Sequence, residues 1–311
     1  MLASIVIPTV DRRASLIGAI EGCRAQRGVP GAFEIVVIDN SPDGRQRWVE
    51  AQGRGEMPLR YLHEPRAGLA HARNLGISAC RGRYLVFLDD DERPLGTSWL
   101  AGLLTAAVEC GADALFGPVA PEFEDRQPAP FIARLYTRDN ELPRGAPVSC
   151  NSHKLGTGNS CFLLTTCFGS GERFDPRLNT AGGEDVDMIR RLEARGLRLA
   201  WVPGASVVEL VPAARTQPRY LAQRRFRQGQ IRTTTAVGVA PVRYDRMLYW
   251  MTAGAAQAAY HVLWSMGLSL VGRHDAATLH RVQAWGGLGK IFWSRHFIRR
   301  NYAPDSSGTR R

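Results

Sequence analysis

Nothing in these 311 residues is spaced as a full zinc site: the six cysteines form no CxxC pair, and the histidines do not complete a ligand set with them. Scattered cysteines in a chain this long read as the reduced thiols of a cytosolic protein. The apolar run Ile5-Val6-Ile7 has no positive stretch before it and stops at Pro8 and Asp11, so no signal peptide is expected. No GxGxxG follows the first strand pattern and no Walker-type phosphate loop occurs, which argues against nicotinamide and P-loop chemistry. Acidic side chains are nearly missing from the C-terminal third. From Val211 onward 16 Lys and Arg face 3 Asp and Glu, while the rest of the chain carries 24 basic and 26 acidic groups. The formal charge of +11 is therefore local, and it points to a polyanionic partner: anionic lipid, nucleic acid or a phosphate-bearing substrate. Fixed charge is absent altogether from Met247 to Gly272.

What is present begins with a hydrophobic share of 44%, enough for a core and against global disorder. Ser4–Pro8 is a short β-branched run, followed by helical apolar spacing through Leu16, Ile20 and Cys23. Phe33–Ile38 reads as a second buried strand, ended by the turn-rich Asp39-Asn40-Ser41-Pro42-Asp43-Gly44. A third strand at Leu59–Leu62, a helix over Gly68–Cys80 and a fourth strand at Tyr84–Leu88 follow. This alternation predicts an α/β domain with a mostly parallel sheet and helices on both faces. Asp11, Asp39 and Asp89-Asp90-Asp91 each follow the C-terminal end of a strand, where open α/β sheets bind ligands.

Two acidic clusters carry the chemistry. Asp89-Asp90-Asp91-Glu92 sets four carboxylates directly after a buried strand, a crowding of like charge that a cation relieves. Mg²⁺ or Mn²⁺ takes oxygen ligands and would bridge such carboxylates to a diphosphate. Asp89 and Asp91, two apart on extended chain, can face a ligand together; a solvated turn capping the next helix near Thr97 or Ser98 is the other reading. The second cluster, Gly182-Gly183-Glu184-Asp185-Val186-Asp187, precedes the helical pattern Met188, Ile189, Leu192. It suits a helix N-terminus, and equally a general base held at a rigid helix end.

Together these stretches resemble the family 2 glycosyltransferases of GT-A fold, and more loosely the succinoglycan-type exopolysaccharide transferases among them. The matching segments are Ser4–Thr9 with Asp11, Val36–Ser41, Gly68–Asn74, Phe87–Glu92, Gly156–Asn159 and Gly182–Asp187, in the family's order over about the first 210 residues. The resemblance implies a GT-A catalytic domain over residues 1–210 and a helical, basic extension over 211–311. It implies that Pro8, Asp11, Asp39, Arg73, Asp89, Asn159 and Arg227 serve the donor, with Asp11 and Asp39 on base and ribose and Asn159 on the strand beneath the acceptor. Asp91, with Asp89 and Glu209, would hold Mg²⁺ or Mn²⁺. Asp185 would be the catalytic base, with Glu184 as its neighbour and possible substitute. The activity implied is inverting transfer of one sugar from a UDP- or dTDP-linked donor to a glycan or lipid-linked saccharide.

Two departures from the family accompany this. Glu209 stands where many relatives carry a metal-binding His, and it can equally pair with Arg215 or Arg219. The QxxRW motif of processive relatives is missing, its nearest match being Gln223-Arg224-Arg225-Phe226-Arg227. In the basic third, the arginines around Phe226 suit diphosphate or lipid phosphate, or form a solvated face. The segment from Met247 to Gly272 is only moderately apolar. It reads as a helix or helical pair lying in a membrane interface, with a core-packing helix and a true span as the other readings. A chain peripheral on the inner face of the cell membrane, meeting anionic lipid and no nucleic acid, is the expectation. A sugar nucleotidyltransferase and a phosphate- or nucleic-acid-binding protein with a silent GT-A core are the competing functions.

Overall fold

A computed structural model describes residues 1–54, 58–125, 127–179, 182–237 and 243–294. In chain order the elements of the first part are β1 (Ala3–Thr9), α1 (Arg13–Arg24), β2 (Phe33–Asp39), β3 (Leu59–His63), α2 (Leu69–Ala79), β4 (Tyr84–Phe87), β5 (Glu92–Pro94) and α3 (Trp99–Glu109). They continue with β6 (Ala114–Phe116), β7 (Val119–Phe123), α4 (Pro130–Tyr136), β8 (Ser160–Leu163), α5 (Leu164–Phe168), α6 (Glu184–Ala194), β9 (Leu199–Trp201) and β10 (Val207–Val211). Four helices follow: α7 (Ala213–Thr216), α8 (Pro218–Val237), α9 (Tyr244–Leu270) and α10 (His274–Ile291).

The seven-stranded sheet runs β3-β2-β1-β4-β8-β6-β9. All its strands are parallel except β8, which pairs antiparallel with β4 and with β6. The sheet is buried on both faces, which is why β1 and β2 read as unbroken apolar runs. Ile5, Ile7, Ile35 and Val37 pack on one side with Leu16, Ile20, Trp99 and Leu103. Val6, Val36, Ile38 and Phe87 pack on the other with Ala70, Met188, Ile189 and Leu192. Alternate residues of one strand thus feed two separate cores, as the period of two requires. A smaller sheet, β5-β10-β7, sets β10 antiparallel to β5 with Glu209 directly opposite Glu92. The mostly parallel sheet expected from the sequence is the one observed.

The chain divides into two compact units. One comprises Met1–Glu124, Ala133–Pro176 and Glu184–Val211; the other comprises Asp125–Ile132, Arg177–Gly183 and Pro212–Arg311. The second unit holds α8, α9 and α10, and its helices touch backbone to backbone: a methyl built on Gly254 would lie 2.7 Å from the carbonyl oxygen of Gly287. The segment between Met247 and Gly272 is a single helix rather than a helical pair. Among the described residues no helix is long and apolar enough to cross a membrane. The basic and aromatic stretch expected to continue to Tyr302, and the tail from Pro304 expected to lack order, lie outside the described residues from 295 on.

Candidate active site

The site forms where β1, β2 and β4 end. Thr9 is level with Asp39 across the β1–β2 pair, and its hydroxyl donates to Asp90 Oδ2 at 2.7 Å. That bond turns the middle aspartate inward, where it is buried. Asp90 and Asp91 form a turn closed by the Glu92 amide on the Asp89 carbonyl at 3.0 Å, so Asp89 and Asp91 do not lie two apart on extended chain as expected: Asp89 meets Arg73 and Asp91 meets Arg12. Burial pushes the Asp90 carboxyl up to about 6, against the pull of Arg12. Arg12 Nη1 lies 2.9 Å from Asp90 Oδ1 and 2.7 Å from Asp91 Oδ2. Asp11, with a left-handed φ of 52°, turns toward Arg45 and accepts from it at 2.9 Å.

Arg73, on α2 and only 3% exposed, joins the two acidic clusters. Its Nη1 donates to Glu184 Oε1 at 2.8 Å, and its Nη2 lies 3.4 Å from Asp89 Oδ1. Its guanidinium also sits over the Phe174 ring, 5.5 Å from the centroid. Glu184 opens α6 and is buried; burial, with Asp185 beside it, raises its carboxyl above the usual range. Asp185 is half-buried and accepts from the Val186 amide at 2.7 Å.

The loop Gly156–Asn159 lies between the clusters. A Cβ on Gly158 would stand 2.7 Å from Asp89 Oδ2 and 2.8 Å from Glu92 Oε1, and one on Gly156 would stand 2.5 Å from Arg138 Nη1 and 3.4 Å from Asp185 Oδ2. Only glycine lets the backbone come that close to the carboxylates. Arg138 donates to the Gly158 carbonyl and lies 3.7 Å from Glu92 Oε1. Glu92 is fully enclosed, and burial together with Asp89 raises its carboxyl well above the carboxylate range. In the same loop the Thr157 hydroxyl, 1% exposed, has no hydrogen-bond partner among the described residues.

Pro8, Asp11, Asp39, Arg73, Asp89, Asp91, Asn159, Glu184, Asp185 and Glu209 all fall in the first unit; Arg227 lies half-buried on α8 in the other. Asp39, expected at an open strand end, is instead fully buried. Its Oδ1 accepts from the amide and hydroxyl of Ser41, and its Oδ2 from the Gln46 amide and the Tyr61 hydroxyl. Four donors fill the lone-pair sites of a carboxylate, so Asp39 shapes the loop Asn40–Gln46. Asn159, with φ 52°, accepts from Trp99 Nε1 and donates to the carbonyls of Pro118 and Ala205, each at 2.8 Å. The expected cation ligands Asp89, Asp91 and Glu209 are near one another in the fold, but no three such side chains converge on one point among the described residues. Asp91 is turned to Arg12, and Glu209 reaches the cluster from a separate strand. Three members of the site, Arg12, Arg45 and Arg138, were not anticipated. Arg12 was legible as the basic residue at the end of β1, whereas Arg138 lies in a stretch with no motif.

Residues 4–156 match the family model Glycosyl transferase family 2. Over these residues, just under half of its length, the chain resembles the family 2 glycosyl transferases. Over 203 residues, 64% of the chain, it is 34% identical to the succinoglycan biosynthesis protein ExoM of Rhizobium meliloti. Over 275 residues, 86% of the chain, it is 27% identical to the pre-mycofactocin glycosyltransferase of Mycobacterium tuberculosis. It spans 63% and 53% of the length of these two relatives. Among solved structures, the mannosyltransferase PcManGT of Pyrobaculum calidifontis, in complex with GDP-Man and Mn²⁺, superposes with a TM-score of 0.63 at 18% identity, covering 94% of this chain and 87% of its own. TarS 1-349 of S. aureus, in complex with UDP-GlcNAc, superposes at 0.56 with 14% identity, covering 94% and 90%. These likenesses establish the GT-A fold. The match runs from β1 to Gly156, where the glycine loop begins, and the Glu184-Asp185 pair lies beyond it.

Proposed function

We propose that the chain transfers one sugar, with inversion, from a UDP- or dTDP-linked donor to a glycan or lipid-linked saccharide, working peripherally on the inner face of the cell membrane. The observation that carries this reading is the junction at Arg73: it ties Asp89, at the strand end, to Glu184, at the start of α6, with the glycine loop laid between them. A donor diphosphate on the Asp89–Asp91 side thereby faces a base on the Asp185 side.

A divalent cation fits the donor set in kind. The ligands on offer are carboxylate oxygens, and burial first, then the neighbouring carboxylates, raise Asp90 and Glu92. Arg12 already lies between Asp90 and Asp91 as a positive group would. Asp91, with Asp89 and Glu209, would hold Mg²⁺ or Mn²⁺, which when bound supplies charge neutralisation for the leaving diphosphate. Arg12 and Arg45, at the mouth of the strands, are placed to add to that neutralisation. Asp185 takes the proton from the acceptor hydroxyl as that oxygen attacks the anomeric carbon. It is the better base of the pair, because Glu184 is buried and committed to Arg73. A single displacement inverts the centre, and no second carboxylate is assigned as a nucleophile for double displacement. Asp39 and Asn159 support the donor loop and the floor of the site.

The test is calorimetric titration of the purified chain with UDP, with and without Mn²⁺, beside Asp91→Ala. Metal-dependent binding that the substitution abolishes is the expected result. Failure of UDP, dTDP and GDP to bind under any metal condition would sink the reading.

A further inference from the structure

The helical unit carries a surface that sugar transfer does not use. Along α9, Leu248, Ala255, Ala259, Leu263, Met266 and Leu270 recur at helical spacing and all face solvent, with Leu263 at 69% and Leu270 at 89% exposed. The opposite side of the same helix is where it packs: Gly254, Ala258 and Ser265 are buried, Gly254 against Gly287 and Ser265 donating to the Ala277 carbonyl of α10. Single exposed apolar residues are ordinary; an uncharged stripe running the length of a 27-residue helix, about 40 Å, is not. Tyr260 and Trp264 stand exposed beside it.

Charge sets what can cover this stripe. No fixed charge lies between Met247 and Gly272, yet Arg243 and Arg246 stand exposed at one end and Arg273 at the other. From Pro218 to Ile291 ten Lys and Arg face two Asp. A second copy of this chain would bring arginines against arginines. An anionic bilayer offers the complement, an apolar interior beneath negative headgroups. The helix is not apolar enough to cross, and an amphipathic helix with aromatic and basic margins lies in the interface instead.

We propose that the outward face of α9 docks on an anionic lipid bilayer, the helix lying in the plane of the surface with Arg246 and Arg273 among the headgroups. The purpose of such docking rests on the lipid-linked acceptor proposed above, but its observations belong to the helical unit alone.

Flotation of the full chain with vesicles tests it, using phosphatidylcholine alone and phosphatidylcholine with phosphatidylglycerol in equal parts, in low salt and in ~0.5 M NaCl. Binding is expected only with phosphatidylglycerol, weakened by salt, and reduced about tenfold or more by Leu263→Glu with Leu270→Glu. Circular dichroism and UDP titration of the same variant report folding and the donor site separately, so a chain that floats but binds no nucleotide fails the transfer reading and keeps this one. Three results would overturn the docking face. The first is no flotation at any lipid composition, and the second is flotation unchanged by the two glutamates. The third is a dimer in light scattering that those glutamates dissolve, which would assign the stripe to a second copy.

Discussion

Arg12 and Gly158 are the residues on which the donor site turns. Arg12 holds Asp91 at 2.7 Å from a partly exposed position, so it competes with any cation for that carboxylate. Arg12→Gln is expected to tighten Mn²⁺ binding, measured without nucleotide by the electron paramagnetic resonance of free Mn²⁺, by about fivefold, the worth of an ion pair near 1 kcal/mol. An unchanged affinity would show that the guanidinium does not stand in the cation's way. At Gly158 an added methyl meets Asp89 and Glu92 at 2.7–2.9 Å; Glu92 is buried, and Asp89 swings away only by giving up Arg73. Gly158→Ala should therefore weaken metal-dependent UDP binding by at least ~10-fold, about 1.4 kcal/mol, with the fold retained by circular dichroism. Donor affinity equal to that of the parent chain would mean that the loop is not part of the site. Asp89, Asp91, Glu184 and Asp185 were legible as residues because clusters of like charge after buried strands or at helix starts need a reason. The inward turn of Asp90 was not, since it depends on the Thr9 hydroxyl 81 positions away. Nor was the saturation of Asp39: Ser41 and Gln46 are close in sequence, but the Tyr61 hydroxyl that completes the set arrives from β3.

Strands and helices of the first unit were readable from periodicity because each buries a continuous face, and α2 and β4 fall within a residue of where the spacing puts them. β8 was anticipated only through the resemblance, which put Asn159 on a strand; Asn159 stands just before it, four residues, Ser160–Leu163, are too few to show a period, and the antiparallel placement comes from its neighbours. In the helical unit, α9 and α10 meet at His261 and His280, whose Nδ1 atoms are 3.0 Å apart. One ring must donate and the other accept, so a second proton there places two N–H groups face to face. Burial, then His280 and Arg225, lower the His261 value. An unfolded histidine titrates near ~6.5, so just below that pH the unfolded chain holds more protons than the folded one, and stability is lost as pH falls through this window. The melting temperature should drop between about pH 7.5 and pH 5.5, and His280→Asn should shrink that drop. An identical pH slope in parent and variant would remove the pair as its cause.

At the scale of the whole molecule, a ligand that binds the folded chain stabilises it by mass action. Saturating UDP with Mn²⁺, at about a hundredfold excess over Kd, should add ~2.7 kcal/mol and raise the melting temperature of a unit of this size by about 2–4 °C for each kcal/mol. EDTA should reverse the gain; a shift that survives chelation would argue for metal-independent donor binding. The sequence by itself determined the α/β class, the two acidic clusters and the concentration of positive charge beyond Val211, because apolar period, turn chemistry and charge counts are local properties of the chain. Tertiary structure alone decided which of those charges meet. Arg73 reaches Glu184 across 111 positions and Arg12 reaches Asp90 across 78. Arg138, with no motif around it, closes over Gly158. It also decided which side of α9 is covered, since the close approach of Gly254 to Gly287 fixes the packed face and leaves the leucines outward. Such pairings follow from strand order and helix packing, which bring together residues that no window along the chain contains.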